Sequence, residues 1–199
     1  MARKLGLDAT DVLGAAMRLA DTHGLGAVTL AAVAAELGVR APSLYAHVDG
    51  LDGLRRGLAL DGAAAVAAAF REAAAGHAGL DALAALADAY RSFATRHPGW
   101  YAAAQRAVRP GEDDALYQAL AAVVQPVMSA LDETGVAPAD RVHLVRAVRA
   151  ALHGFVALEQ AGGFGMPESV DTSFHRLVAL LLAGVRDAAT AVAAAPDTG

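Results

Sequence analysis

Groups able to do covalent or metal chemistry are few in this sequence. It contains no cysteine, which excludes disulfides, a thiolate zinc site and a cysteine nucleophile. Seven histidines occur, but His97, His143, His153 and His175 form no i, i+4 pair and no HExxH-type motif. His153 and Glu159 lie six residues apart, so a helix turns them to different faces. Ser43 and Ser173 lack a glycine elbow, and no phosphate-cradling glycine–lysine loop is present. The run Glu112-Asp113-Asp114 reads as negative charge favoured at a helix N-terminus. Nothing assembles a nucleophile, a base and oxyanion donors. The expectation is therefore no catalytic residue, no metal, no cofactor and no enzyme.

Non-covalent chemistry concentrates between Thr29 and Val48. Thr29 caps a short helix, Leu30 to Leu37, and Gly38 breaks it with a positive φ. A further short helix follows, about Pro42 to His47, with Pro42 in the first turn where its missing N–H costs nothing. Val33, Leu37, Val39, Leu44 and Val48 can face inward, and small Ala34 lets the helices cross closely. That leaves Arg40, Ser43, Tyr45, Ala46 and His47 outside. An outward Tyr and His on so short a helix are poor solvent surface, but suit a face that enters a DNA major groove. Thr29, at a helix N-terminus, is placed to hold a phosphate.

The elements that must carry this segment are helical. The chain has 199 residues, 56% hydrophobic and 19% charged, which excludes global disorder. Alanine dominates and favours helix, and no strand-like alternation extends beyond a few residues. A first helix spans about Ala9 to His23, capped by Asp8 with Asp11 at the third position and stopped by Gly24. Later helices are expected from Asp52 toward Ala74, Asp81 to Arg96, Trp100 to Arg106, Asp113 to Glu133 with Pro126 kinking or shifting it, Ala139 to Gln160, and Asp171 to about Ala194. The longest uncharged run, 115–131, contains Gln118, Gln125 and Pro126 and reads poorly as a membrane span. Asp8 and Asp11 stand where a signal peptide needs its apolar stretch, and the expected location is cytoplasmic. Net charge is −5, against a general nucleic-acid binder. Residues 1–60 carry six basic and six acidic side chains, so the deficit belongs to the rest.

As a set, Thr29, Leu37-Gly38-Val39, Pro42-Ser43-Leu44-Tyr45-Ala46-His47-Val48 and Leu54 closely resemble the TetR family (tetracycline-repressor-like regulators). The resemblance implies an all-α chain. An N-terminal three-helix, helix-turn-helix DNA-binding domain (1–54) precedes a helical ligand-binding and dimerisation domain (55–199). It implies phosphate anchoring by Thr29 and Tyr45, and groove contacts from Pro42, Ser43 and His47. Arg40 is a candidate base or phosphate contact. Leu51 stands where many relatives carry a phosphate-binding lysine, and Ala31 and Ala41 replace larger polar residues. Arg3 and Lys4, on an N-terminal arm, are candidates to compensate by reaching phosphate or a minor groove.

The segment from Leu152 to Glu159, then Gly162-Gly163-Phe164-Gly165 and Asp171 to Phe174, resembles a C-terminal subtype of these regulators, the WHG type, with Leu152 in place of the Trp. Apolar stripes support dimerisation. The last helix repeats Phe174, Leu177, Val178, Leu181, Leu182 and Val185, and the one before carries Val145, Val148, Leu152, Phe155 and Val156. Val145, Val148, Leu152, Phe174, Leu177 and Leu181 are the candidate contacts of a four-helix bundle between two copies. Candidate ligand contacts are Phe93, Trp100, Tyr101, Tyr117, Met128, His153 and Phe155, with Gln160 as a second polar pin. The function expected is a homodimeric repressor of a palindromic double-stranded DNA operator, released by a small apolar or aromatic effector, with no membrane partner. The alternative is a helical small-molecule binding or sequestering protein with weak DNA binding, motivated by Leu51, Ala31, Ala41 and the neutral front.

Overall fold

The computed structural model describes residues 6–193, and every regular element among them is helical. The helices are α1 (Ala9–His23), α2 (Leu30–Leu37), α3 (Gly50–Ala74), α4 (Gly79–Arg96), α5 (Pro98–Ala103), α6 (Asp114–Asp132), α7 (Pro138–Gln160) and α8 (Val170–Ala193). Two 3₁₀ turns, Leu25–Ala27 and Ala41–Ala46, stand before and after α2. Arg3, Lys4 and Ala194 lie outside the described residues.

Local chemistry sets several boundaries. Asp8 accepts from Asp11 N–H at 2.8 Å while Asp11 accepts from Asp8 N–H at 3.1 Å, a reciprocal capping box that starts α1. Pro126 sits buried inside α6, which continues through it. The segment expected as a short α-helix over Pro42–His47 is instead the 3₁₀ turn Ala41–Ala46. Its bonds run from Ser43 N–H to Arg40 C=O and from His47 N–H to Leu44 C=O, each at 2.9 Å. Six residues beginning beside a proline close these three-residue steps before a full α-turn is established.

The chain divides into two compact units. The first takes residues up to Ala67 together with Arg96–Ala122. Its core gathers Val12, Ala16 and Met17 of α1, Val33 of α2, Leu44 of the 3₁₀ turn, Leu54 and Leu58 of α3, and Ala103 of α5. Helix α5 is seated by two glycines. A Cβ on Gly99 would lie 2.5 Å from the backbone of Ala20 and Asp21, and one on Gly62 2.7 Å from Trp100 C=O. Asp21 receives the Gly99 N–H at 2.7 Å. Arg56 of α3 grips Asp113 through two bonds, 2.5 and 2.8 Å, and the same carboxylate accepts Leu116 N–H to start α6. The guanidinium beside it holds the Asp113 carboxyl below the usual carboxylate range.

The second unit takes Ala68–Thr95 with the residues from Val123 onward. Arg91 of α4 ties it together. It donates to Glu159 of α7 through two nitrogens and lies 2.7 Å from Asp171 at the start of α8. Its guanidinium also stands 4.8 Å from the Phe174 ring centre and 5.7 Å from that of Phe155. Hydrogen bonding to Glu159 raises the Arg91 pKa above its ordinary value.

Replacing Gly99 by alanine must push α5 away from α1. We expect Gly99→Ala to destabilise the protein by about 1–3 kcal/mol. Gly14→Ala in the same unit meets only the Arg18 side chain, at 3.7 Å, and should gain up to about 1 kcal/mol from helix propensity. Urea denaturation of both variants checks the contrast.

Candidate nucleic-acid interface

The candidate surface is built from its buried side. Thr29 starts α2 by accepting Ala32 N–H at 3.1 Å on its hydroxyl. Gly38 ends α2 with φ +67°, the left-handed conformation that glycine adopts without steric cost. The Gly38 and Val39 N–H groups return to Ala35 and Ala34 C=O, which completes the sharp turn. Val33 and Leu44 are fully buried, and Leu37, Val39 and Val48 pack half-buried around them.

With Leu44 at 0% exposure, its neighbours must point away. Tyr45 is 63% exposed, and Arg40, Pro42, Ser43 and Ala46 are exposed with it. His47 is only half-buried rather than fully outward, because it closes the turn at the point where the chain folds back toward α3. Thr29 is exposed at the mouth of α2. The result is a polar and aromatic ridge backed by a dry core, with donors and acceptors on Ser43, Tyr45, His47 and Arg40. Such a ridge can enter a duplex groove.

Three comparisons bear on this geometry. The family model described as "Bacterial regulatory proteins, tetR family" matches residues 12–54. The one described as "Tetracyclin repressor-like, C-terminal domain" matches residues 83–181. An uncharacterized HTH-type transcriptional regulator of Mycobacterium tuberculosis is 33% identical over 93% of this chain and 84% of its own. The chain belongs to the tetR family. This TetR-family chain is also 31% identical to an uncharacterized HTH-type transcriptional regulator of Bacillus subtilis, over 93% of this chain and 96% of that one. Among solved structures, a protein of unknown function from Rhodococcus matches with TM-score 0.74 and 25% identity, over 92% of this chain and 98% of that one. A TetR variant from Acinetobacter baumannii in complex with minocycline matches in fold, with TM-score 0.65 and 23% identity over 92% and 98% of the two chains. The protein is thus a helix-turn-helix, DNA-binding transcriptional regulator, and its matched homologues are regulators rather than enzymes.

The candidate ligand contacts fall in both units. Trp100, Tyr101 and Tyr117 belong to the first unit, and Phe93, Met128, His153 and Phe155 to the second. Phe93 and Tyr101 are buried, Trp100 packs against the core of the first unit, and Tyr117 and His153 are exposed. Met128 is half-buried. Gln160 donates to Ala94 C=O at 2.9 Å, a tie from α7 to α4. An open groove of about 260 Å³ in the second unit runs beside Pro126, with Arg71, His77, Gln125, Ser129 and Glu133 on its rim. None of the seven candidate ligand contacts lines this groove.

Among the dimerisation candidates, Leu152 (4% exposed) and Phe174 (1%) point into their own chain's core beside Ala87 and Val178. They have almost no area to offer a partner. Val145, Val148, Leu177 and Leu181 are half-buried. Sequence reasoning missed Arg91, whose carboxylate partners lie 68 and 80 positions further along the chain.

Loss of the α2 cap is measurable. Thr29→Ala should cost about 1 kcal/mol of stability and Thr29→Ser should restore most of it, read from denaturant midpoints at constant m-value.

Proposed function

We propose that this regulator is a homodimeric repressor that binds a palindromic operator and leaves it when a small apolar or aromatic effector binds. The reading rests on one observation above all: the exposed Tyr45 beside the fully buried Leu44. That arrangement presents Pro42, Ser43, Tyr45 and His47 to a major groove, with Thr29 and Arg40 fixing position on the backbone. Two such heads about one DNA turn apart, roughly 34 Å, would read two half-sites.

A second copy is supported by apolar surface on the last two helices. Val142, Leu158 and Leu180 are exposed there, Leu180 by 71%, and Val145, Val148, Leu177 and Leu181 of the same helices are half-buried. Exposed apolar side chains on two helices that pack against each other fit an isologous contact. Regulators of this family bind DNA operators, usually as dimers, with small-molecule effectors, and the minocycline complex of the Acinetobacter protein supports an effector here. The effector would act only through unequal affinity for the operator-bound and free arrangements.

Tyr45→Ala should weaken binding to the DNA flanking the protein's own gene by at least about tenfold, a loss of roughly 1.4 kcal/mol. Its unfolding midpoint should stay unchanged, because Tyr45 contributes little to the core. An unaltered gel shift would refute the groove assignment. Leu180→Asp should convert the dimer to monomer in sedimentation experiments while helix content is retained, and an undisturbed dimer would place the contact elsewhere.

A further inference from the structure

Residues 1–60 have no formal net charge, so long-range attraction to DNA is weak there and individual cations decide backbone affinity. Four arginines of that stretch fall among the described residues. Arg18 is engaged with Glu36 at 3.5 Å, and Arg56 is held by Asp113. Among the described residues, Arg40 and Arg55 have no carboxylate within ion-pair distance, and both are exposed. Arg40 already belongs to the reading ridge. Arg55 has no assigned role.

We propose that Arg55 is a phosphate anchor, the second cation with which each head grips the duplex backbone; this rests on the operator-binding reading above. Helix α3 begins at Gly50, four residues after the 3₁₀ turn ends at Ala46. Leu54 and Leu58 share one core with Leu44, so the first turns of α3 are rigid with the turn that carries Tyr45. Helical side chains lean toward the N-terminus, so Arg55 overhangs the turn of Leu51 and Asp52, the end of α3 next to the reading turn. Asp52, three residues earlier, is the ordinary helical partner for such an arginine, yet no pair forms. Leu51 packs against the core instead of offering charge. The free guanidinium is permanently charged, and its planar fork matches two phosphate oxygens.

The test is the salt dependence of binding to a duplex enriched from random-sequence DNA by the wild-type protein. Each phosphate contact contributes about 0.9 to the slope of log K against log salt concentration. Arg55→Gln should lower that slope by about 0.9 per head, so that binding weakens about 3.5-fold less per head between 50 and 200 mM salt. Its ranking of mismatched duplexes should match the wild type, because phosphate carries no sequence information. Arg55→Lys should keep the slope. Arg146→Gln, an exposed arginine of α7, removes the same charge and should leave the slope unchanged. A wild-type slope in Arg55→Gln, or an equal fall in Arg146→Gln, overturns the anchor and leaves the operator reading standing. A wild-type protein that enriches no duplex overturns both.

Discussion

The burial of Leu44 is the constraint on which the proposed DNA-reading surface depends. Within a turn only six residues long, Leu44 is committed fully to the interior with Ala41 packed on the same core, which leaves Pro42, Ser43, Tyr45 and Ala46 outside. Removing a leucine from water contributes roughly 1.5–3 kcal/mol. The core that receives Leu44 is assembled from α1, α2, α3 and α5. The proposed recognition surface is therefore shaped by packing beneath it, and its outer residues remain exposed.

The two units are held by different physics. In the first, apolar packing and close backbone approach dominate, with Gly62 and Gly99 permitting contacts that any side chain would block. In the second, one cation organises three helices. Arg91 is partly sheltered, and its charge is met by Glu159, Asp171 and the faces of two phenylalanine rings. A sheltered charge is tolerable when its donors are satisfied in this way, and its removal would leave two carboxylates facing one another. The same arrangement fixes the first turn of α8 beside the end of α7.

Much of the reading head was legible because its signals are local. The Asp8–Asp11 capping box, the Thr29 cap and the left-handed Gly38 are each decided within a few residues. So is the inward spacing of Val33 and Leu44. The 3₁₀ form of Ala41–Ala46 was not legible, since six residues cannot separate a period of 3.0 from one of 3.6. His47 was read as outward, but its accessibility depends on how the chain returns to α3. The stripes containing Leu152 and Phe174 signalled apolar faces without saying which neighbour covers them; for these two residues the chain's own core does. Gly99 and Asp21 are 78 positions apart, and an approach of backbone to backbone leaves no periodic trace.

The seating of α5 bears on how this regulator could be re-engineered. A chimera that fused only its three-helix front to a foreign body would strip α1 of the surface now covered by Gly99 and leave the Asp21 carboxylate without its amide. The graftable cassette is discontinuous: it takes the opening stretch through Ala67 and a second strip, Arg96–Ala122, that the chain supplies only after a detour of 28 residues. Modularity in such a molecule follows the packing of its helices rather than the order of its codons.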